Sequence, residues 1–302
     1  MSSRSASSSA SSASTLTPRA RRWWTPYAFL AAPLALMALF FGWPLLETIR
    51  ISLLDYGGDL QRPAFAGLAN YQALARSGAF WQSAWVTLVF TLGVVPAMAT
   101  LPIALAVLAH HPPRGMSWIR AALYIPVILS MVVVGLAWKR LYVSDGLINQ
   151  GLRALGLPAV DWLSNPDVAL LAVMMVVVWK GLGYYMMMYL AQLQSAPQEL
   201  YDAAAIDGAG PLRRHWAVTL PHLRPTVALV VIVSAIGSLK AFTEMYVMTR
   251  GGPLGATRTL AYYIYERAFE NLDLGVAAAA GLALMAALTL LTLAQLAWED
   301  RS

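Results

Sequence analysis

The sequence has no cysteine and few charged residues. Charged side chains make up 12% of its 302 residues and hydrophobic ones 59%, whereas an average globular domain is about 25% charged. The absence of cysteine excludes disulfides and thiolate chemistry. The scarcity of charge, together with a mean hydropathy of +0.59, argues against a water-soluble fold and favours a chain whose main solvent is lipid.

Lysine is also scarce, with only three among the 21 basic residues. The net charge of +6 could suggest a nucleic-acid partner, but no basic run is interleaved with aromatic residues. We therefore expect no binding to nucleic acid and attribute the positive charge to membrane topology.

Motifs for enzyme chemistry are missing as well. No Gly-x-x-x-x-Gly-Lys-Ser/Thr run occurs, so the chain lacks a nucleotide-binding P-loop. The four histidines form no His-Glu-x-x-His pattern, and no zinc site is expected. There is no Gly-x-Ser-x-Gly nucleophile elbow. We predict neither enzyme activity nor a bound cofactor or metal in this chain.

Long apolar runs dominate what is present. The stretch Tyr27–Leu46 is long enough, at about 1.5 Å per residue, to cross a hydrocarbon core of about 30 Å, whereas signal-peptide cores run to about 15 residues. Five further runs predict an all-α, polytopic membrane protein with six spans. The predicted spans are residues 27–46, 85–109, 121–138, 168–190, 226–247 and 276–298.

The N-terminal segment differs from the rest of the chain. Residues 1–18 are nearly all Ser, Ala and Thr, which cannot bury enough apolar area to fold. We predict a disordered cytoplasmic tail over 1–22 and a transmembrane domain over 23–302. Arg19, Arg21 and Arg22 directly precede the first span, so the positive-inside rule places the N-terminus in the cytoplasm. Six spans then return the C-terminus to the same side.

The most informative segment is the predicted inner loop between the fourth and fifth spans. Ser195 and Gln198 form a capping-box pattern that predicts a helix start. Gly208 and Gly210 predict its end, and Pro211 a second helix that continues to Pro221. A solvated helical hairpin would explain these signals without any function.

The residues of this loop resemble those of ABC-importer permeases. Asp202-Ala203-Ala204, Gly208 and Val218-Thr219-Leu220-Pro221 follow the family spacing, with Asp in place of Glu and Val in place of Ile. Other runs resemble the carbohydrate branch, and within it the first of the two permease subunits. These runs are Asp145–Asn149, Leu193-Gln194, Gly237–Thr249 and Gly251–Pro253.

The resemblance implies a set of partners. A second, homologous permease subunit and two copies of a cytoplasmic ATP-binding subunit, which use ATP with magnesium, would complete the transporter. An extracytoplasmic binding protein would deliver a sugar to the outer loops. The expected location is the bacterial inner membrane, in contact with lipid.

The resemblance also implies that the loop 195–221 contains a coupling helix that seats in the ATPase. Ala203, Ala204, Gly208 and Ala209 would form a small-residue face that lets another backbone approach, although alanine is also simply a good helix former. Tyr201 and Ile206 would act as apolar anchors. The full predicted set is Glu199, Tyr201, Asp202, Ala203, Ala204, Ile206, Asp207, Gly208, Leu220 and Pro221.

Polar residues inside the spans indicate a possible substrate path. Intramembrane charges usually face a bundle interior or water, and aromatic faces can stack on sugar rings. The predicted path residues are Trp179, Lys180, Tyr184, Tyr185, Ser238, Lys240 and Glu244. A structural interpretation is equally open, with Lys240 and Glu244 as an i,i+4 pair and Lys180 bonded to a neighbouring helix.

Two other functions compete with the importer. An ion-coupled secondary carrier could use Lys180 and Glu244 without an ATPase, but no inverted repeat of broken helices is evident. A non-transporting membrane scaffold would leave the cost of the intramembrane charges unexplained.

Overall fold

The computed structural model describes residues 25–56, 63–110 and 117–299. The predicted tail 1–22 lies outside the described residues. The chain forms two compact units, one that ends at Glu47 and one that begins at Thr48, and each is described by itself.

The first unit is built on one apolar helical run. Helix α1 (Thr25–Met37) passes through a wide π turn (Ala38–Gly42) into α2 (Trp43–Ser52). The segment Phe29–Ser52 is long and apolar enough to cross a membrane. Its large side chains are exposed, with Phe29 at 79% and Phe41 at 74%, as expected for a helix whose surroundings are apolar.

A short extended segment follows in the second unit. Strands β1 (Leu54–Asp55) and β2 (Ala64–Phe65) pair antiparallel, and helix α3 spans Ala69–Arg76. The amide of Asn70 donates to the carbonyl oxygens of Ser52 at 2.9 Å and Leu54 at 2.8 Å. This buried side chain fixes α3 against the end of α2.

Three long helices contribute most of the main core. They are α4 (Gly78–His110), α8 (Pro166–Gln194) and α11 (Leu220–Leu239). The hydroxyl of Tyr189 in α8 donates to the carbonyl oxygen of Ala99 in α4 at 3.0 Å, and Tyr189 is fully buried. The predicted spans 85–109 and 168–190 lie inside α4 and α8.

The third predicted span, 121–138, is not one continuous helix but is broken between α5 (Ser117–Ile128) and α6 (Met131–Tyr142), and whether it crosses the membrane stays a prediction. The segments Trp118–Ile128 and Met131–Ala154 are bent by 102° at this break. Pro126 has no N–H for the helical ladder. Ser130 is extended and its hydroxyl accepts from the Val132 N–H at 3.3 Å, so it starts a new helix.

Helix α7 (Leu147–Ala154) leads toward α8. The side chain of Asn149 is fully buried and donates to the carbonyl oxygens of Val143 at 3.1 Å and Val160 at 3.0 Å. The run Asp145–Asn149 therefore contains a structural residue that organises the segment before α8.

The fifth predicted span, 226–247, is also interrupted, which corrects the prediction of one helix. Helix α11 ends at Leu239, and a short helix α12 spans Thr243–Met248. The hydroxyl of Thr259 donates to the carbonyl oxygen of Ala241 at 2.7 Å. This tertiary bond uses the carbonyl that a continuous helix would pair with the N–H four residues on.

The chain ends with α13 (Leu260–Tyr265), a π turn (Glu266–Glu270) and α14 (Leu274–Glu299). The predicted span 276–298 lies inside α14. In the described part of the chain, five helices are long and apolar enough to cross a membrane, or six if the bent pair counts as one span. The all-α membrane fold is confirmed, while the count of six and the orientation of the termini stay predictions.

Candidate functional site

The loop between α8 and α11 folds into two short helices, α9 (Gln198–Ile206) and α10 (Pro211–Arg214). Helix α9 ends just before Gly208, as the sequence predicts. Gly208 has a φ of +73°, which favours glycine, and the N–H of Ala209 donates to the carbonyl oxygen of Ala204 at 2.9 Å. This bond closes the end of α9.

The predicted capping role of Ser195 was wrong. Ser195 lies at the C-terminal end of α8 with φ −87° and ψ −3°, whereas a helix N-cap is usually extended. Helix α9 begins three residues later and has no side-chain cap. The Ser195 hydroxyl donates to the carbonyl oxygen of Gln192 at 2.7 Å.

The second loop helix begins at Pro211 and continues without a break into the fifth predicted span. Helix α10 runs through a π turn (His215–Thr219) directly into α11. The Leu220 N–H donates to the carbonyl oxygen of His215, five residues back. Pro221 lacks an N–H, and this wide turn just before it lets the helix continue. Helix α10 is thus one helical body with the start of α11.

The predicted coupling residues differ in exposure. Ile206 is 87% exposed, so it is free to serve as an apolar anchor. Ala204 is half-buried and Ala209 is 8% exposed, so the predicted small-residue face is split between two sides. Leu220 is half-buried. The exposed members are Glu199, Asp202, Ala203, Ile206, Asp207, Gly208 and Pro221.

Tyr201 is not an outward anchor, contrary to the prediction. It is half-buried, and its hydroxyl lies 3.1 Å from Oγ1 of Thr219. Thr219 is 1% exposed, and its Oγ1 also lies 3.0 Å from Nδ1 of His215. The sequence carries no local signal for this cluster of Tyr201, Thr219 and His215, because Tyr201 and Thr219 are 18 residues apart.

A second cluster joins the ends of α8 and α11. Nε2 of His222 lies 3.1 Å from the carbonyl oxygen of Gln192 and 3.3 Å from the Ser195 hydroxyl. Arg214 adds a bond to the loop itself, because its Nε donates to the carbonyl oxygen of Ala209 at 2.8 Å. These contacts hold the two loop ends together.

The intramembrane charges follow one half of the structural interpretation: Lys180 bonds a neighbouring helix, whereas Lys240 and Glu244 form no i,i+4 pair in the described residues. Nζ of Lys180 donates to the carbonyl oxygen of Val127 at 3.2 Å, at the end of α5, where a helix leaves carbonyls without partners. Lys240 is exposed and follows the end of α11; within the described residues it forms no ion pair with Glu244.

The aromatic and hydroxyl members of the predicted path are only partly accessible. Trp179 and Tyr184 are 40% and 42% exposed, while Tyr185 and Ser238 are 9% and 4% exposed. The Ser238 hydroxyl donates to the carbonyl oxygen of Ser234 at 2.8 Å, within its own helix. Trp179 packs edge-on against Trp138 with ring centroids 5.3 Å apart.

The Gly251–Pro253 turn is also tightly packed. Gly251 is buried with a φ of +73°, and an added Cβ there would lie 2.7 Å from the ring of Tyr262.

The described residues contain no group of three or more His, Asp or Glu that could hold a metal ion.

Similar proteins point to one class. The chain is 36% identical to the sulfoquinovosyl glycerol transport system permease protein SmoG of Agrobacterium fabrum, over 85% of this chain and 84% of that one. It is 33% identical to the lactose transport system permease protein LacF of Rhizobium radiobacter, over 80% and 82%. It is 33% identical to the sn-glycerol-3-phosphate transport system permease protein UgpA of Escherichia coli O157:H7, over 94% and 96%.

A solved structure agrees on the fold. A chain of a bacterial alginate ABC transporter, crystallised in complex with an alginate pentasaccharide-bound periplasmic protein, superposes with a TM-score of 0.79 at 21% identity, over 90% of this chain and 92% of that one. Residues 64–302 match the family described as binding-protein-dependent transport system inner membrane component. With the spanning helices and the loop between α8 and α11, the chain belongs to this family of membrane permeases.

Proposed function

We propose that the protein is the permease subunit of an ATP-driven, binding-protein-dependent sugar importer. The observation that carries the proposal is the exposed α9 helix, with Asp202-Ala203-Ala204 and Gly208 at the family spacing, in a chain that has no P-loop of its own. The relatives named above are permeases for sugars, a sugar derivative and a sugar-alcohol phosphate, which supports a carbohydrate as cargo.

The proposal assigns the partners as follows. A second, homologous permease completes the path, and two copies of a cytoplasmic subunit bind and hydrolyse ATP with magnesium. An extracytoplasmic protein supplies the sugar. The chain crosses the inner membrane several times, with both termini in the cytoplasm. The exposed side of α9, with Ile206 at its C-terminal end, docks in the ATPase, and Asp202 and Asp207 pair with basic groups there.

Transport then proceeds by alternating access. Closure of the ATPase pair on ATP displaces α9, and the motion passes to α10, the π turn and α11, which form one continuous helical body. The Lys180 and Glu244 region lies where α5, α8 and α12 meet, so a shift of α8 or α12 changes its geometry. We place the sugar path along this region, with Trp179 and Tyr184 as accessible stacking faces.

The test is reconstitution of the chain with its candidate partner subunits in liposomes. ATP hydrolysis and uptake are measured with binding protein and a panel that includes lactose, glycerol 3-phosphate and sulfoquinovosyl glycerol. We expect one loaded binding protein to stimulate both activities. Gly208→Asp should detach or uncouple the ATPase, because it adds a charge and a Cβ to the docking side at a positive φ.

Gly156→Asp is the matched control. Gly156 also has a φ of +73°, and an added Cβ there likewise meets nothing within 4 Å, but it lies in the segment after α7. Equal loss of coupling in both variants would refute the role assigned to the loop. Absence of any ATPase association by the wild-type chain would refute the importer itself.

An ion-coupled carrier is the second candidate, because Lys180 lies inside the spanning helix α8 and Glu244 in α12, and ionisable residues at such positions are typical of ion pathways. It predicts uptake that follows an ion gradient without ATP. The same liposomes, loaded with ATP or with an ion gradient alone, separate the two functions.

A further inference from the structure

Along the backbone, α9 is joined to α10 and α11 only by a short glycine-containing segment that can bend. The segment between α9 and α10 contains Gly208 and Gly210, and Gly208 is in the left-handed region. Glycine-containing connections absorb changes in φ and ψ. A push on α9 would therefore bend the connection unless another contact tied α9 to the start of α11.

One side chain supplies such a contact. In the described part of the chain, Tyr201 is the single residue of α9 whose side chain hydrogen-bonds outside that helix. Its hydroxyl meets Thr219, the last residue of the π turn, at 3.1 Å. The bond spans the hairpin directly and bypasses both glycines.

The receiving side of this bond is rigid. Thr219 is 1% exposed, and its hydroxyl has a second partner in Nδ1 of His215, at 3.0 Å on the same π turn. A hydroxyl donates one hydrogen bond and accepts others, so one threonine can serve both neighbours. Because Thr219 is buried, water cannot replace a lost partner without a cost.

We propose that Tyr201, Thr219 and His215 form a brace that makes α9 and the start of α11 move as one body. They are positioning residues for energy coupling rather than contacts with the ATPase or the sugar. The inference rests on the proposed function, since a brace matters only if α9 receives a push.

The test uses the complete reconstituted transporter, and the readout is sugar transported per ATP hydrolysed. Tyr201→Phe removes only the hydroxyl, and Thr219→Val replaces the other partner with a similar shape. Loss of one hydrogen bond changes a local equilibrium by roughly fivefold or more, so we expect the ratio to fall about fivefold in each variant. The double variant should be no worse than either single one.

Two controls separate bracing from general stability. Tyr142→Phe removes a comparable bond, from its hydroxyl to the carbonyl oxygen of Ala172 at 3.0 Å, in the bundle away from the loop, and should keep the wild-type ratio. Thr219→Ser keeps the hydroxyl and should also couple normally. It keeps the test decisive if Thr219→Val fails to assemble.

A rescue experiment tests the mechanical role directly. The chain has no cysteine, so Tyr201→Cys with Thr219→Cys introduces its only two thiols, in a complex whose other subunits are also cysteine-free. A bifunctional maleimide that joins them should restore the ratio, whereas a monofunctional maleimide should not.

The possible results distinguish failure of the brace from failure of the importer function. If the wild type couples and Tyr201→Phe keeps its ratio, or Tyr142→Phe lowers it equally, the brace is wrong and the importer stands. If the wild type shows neither ATPase association nor ATP-driven uptake, the importer itself is refuted.

Discussion

The close approach of α5 and α8 at Gly183 gives the sharpest stability prediction. A Cβ on Gly183 would lie 2.1 Å from the carbonyl oxygen and 2.8 Å from the carbonyl carbon of Leu123, and 3.1 Å from Cα of Tyr124. These are backbone atoms, so no side-chain rotation relieves the clash. Gly183→Ala must therefore push the two helices apart by roughly 1 Å.

The loss of folding stability expected for Gly183→Ala comes from overpacking and from one lost hydrogen bond. Overpacking a filled site typically costs about 1–3 kcal/mol, and a backbone obstacle favours the upper end. Lys180 lies one turn before Gly183, and its bond to Val127 at 3.2 Å would lengthen by a similar distance and fail. We expect a loss of about 3 kcal/mol, which corresponds to a melting temperature lower by roughly 5–10 °C.

The assay is thermal unfolding of the purified chain in detergent, followed by tryptophan fluorescence. Gly151→Ala is the matched control, because Gly151 is inside helix α7 and an added Cβ meets nothing within 4 Å. It should be neutral or slightly stabilising, since alanine is the better helix former. A Gly183→Ala variant that melts with the wild type would refute the packing argument.

Two further variants test single contacts by the same assay. Lys180→Met should destabilise the fold by about 1–3 kcal/mol because it removes the donor to the carbonyl oxygen of Val127; a variant that melts with the wild type would contradict the role of this bond. Thr259→Val should cost about 1–3 kcal/mol because it leaves the buried Ala241 carbonyl unpaired. Thr289→Val, an exposed site bonded within its own helix, should cost far less, and equal losses would refute the tertiary role.

Local chemistry made several features predictable. An apolar run long enough to span lipid must form a helix there, because the backbone has to satisfy its own hydrogen bonds. This argument located α4, α8 and α14. The end of α9 followed from Gly208, because few other residues adopt a positive φ without strain.

The features that the sequence did not predict depend on distant residues. The end of α11 is fixed by Thr259, which is 18 residues from the carbonyl it binds. The inward position of Tyr201 depends on Thr219, and the partner of Lys180 lies 53 residues away in α5. Spacing along one helix could suggest only Lys240 with Glu244, because it carries no information about neighbouring helices.

The sequence by itself determined that the chain belongs in a membrane, that its spans are helical, and that the loop between α8 and α11 has the spacing of an importer permease. Composition and glycine placement act locally, and the loop spacing lies within one segment, so each can be read from the chain alone. The tertiary structure decided where the fifth predicted span breaks, which carbonyl Lys180 binds and how α9 is held to α11. Each of these depends on a polar group that finds its partner only after the helices pack.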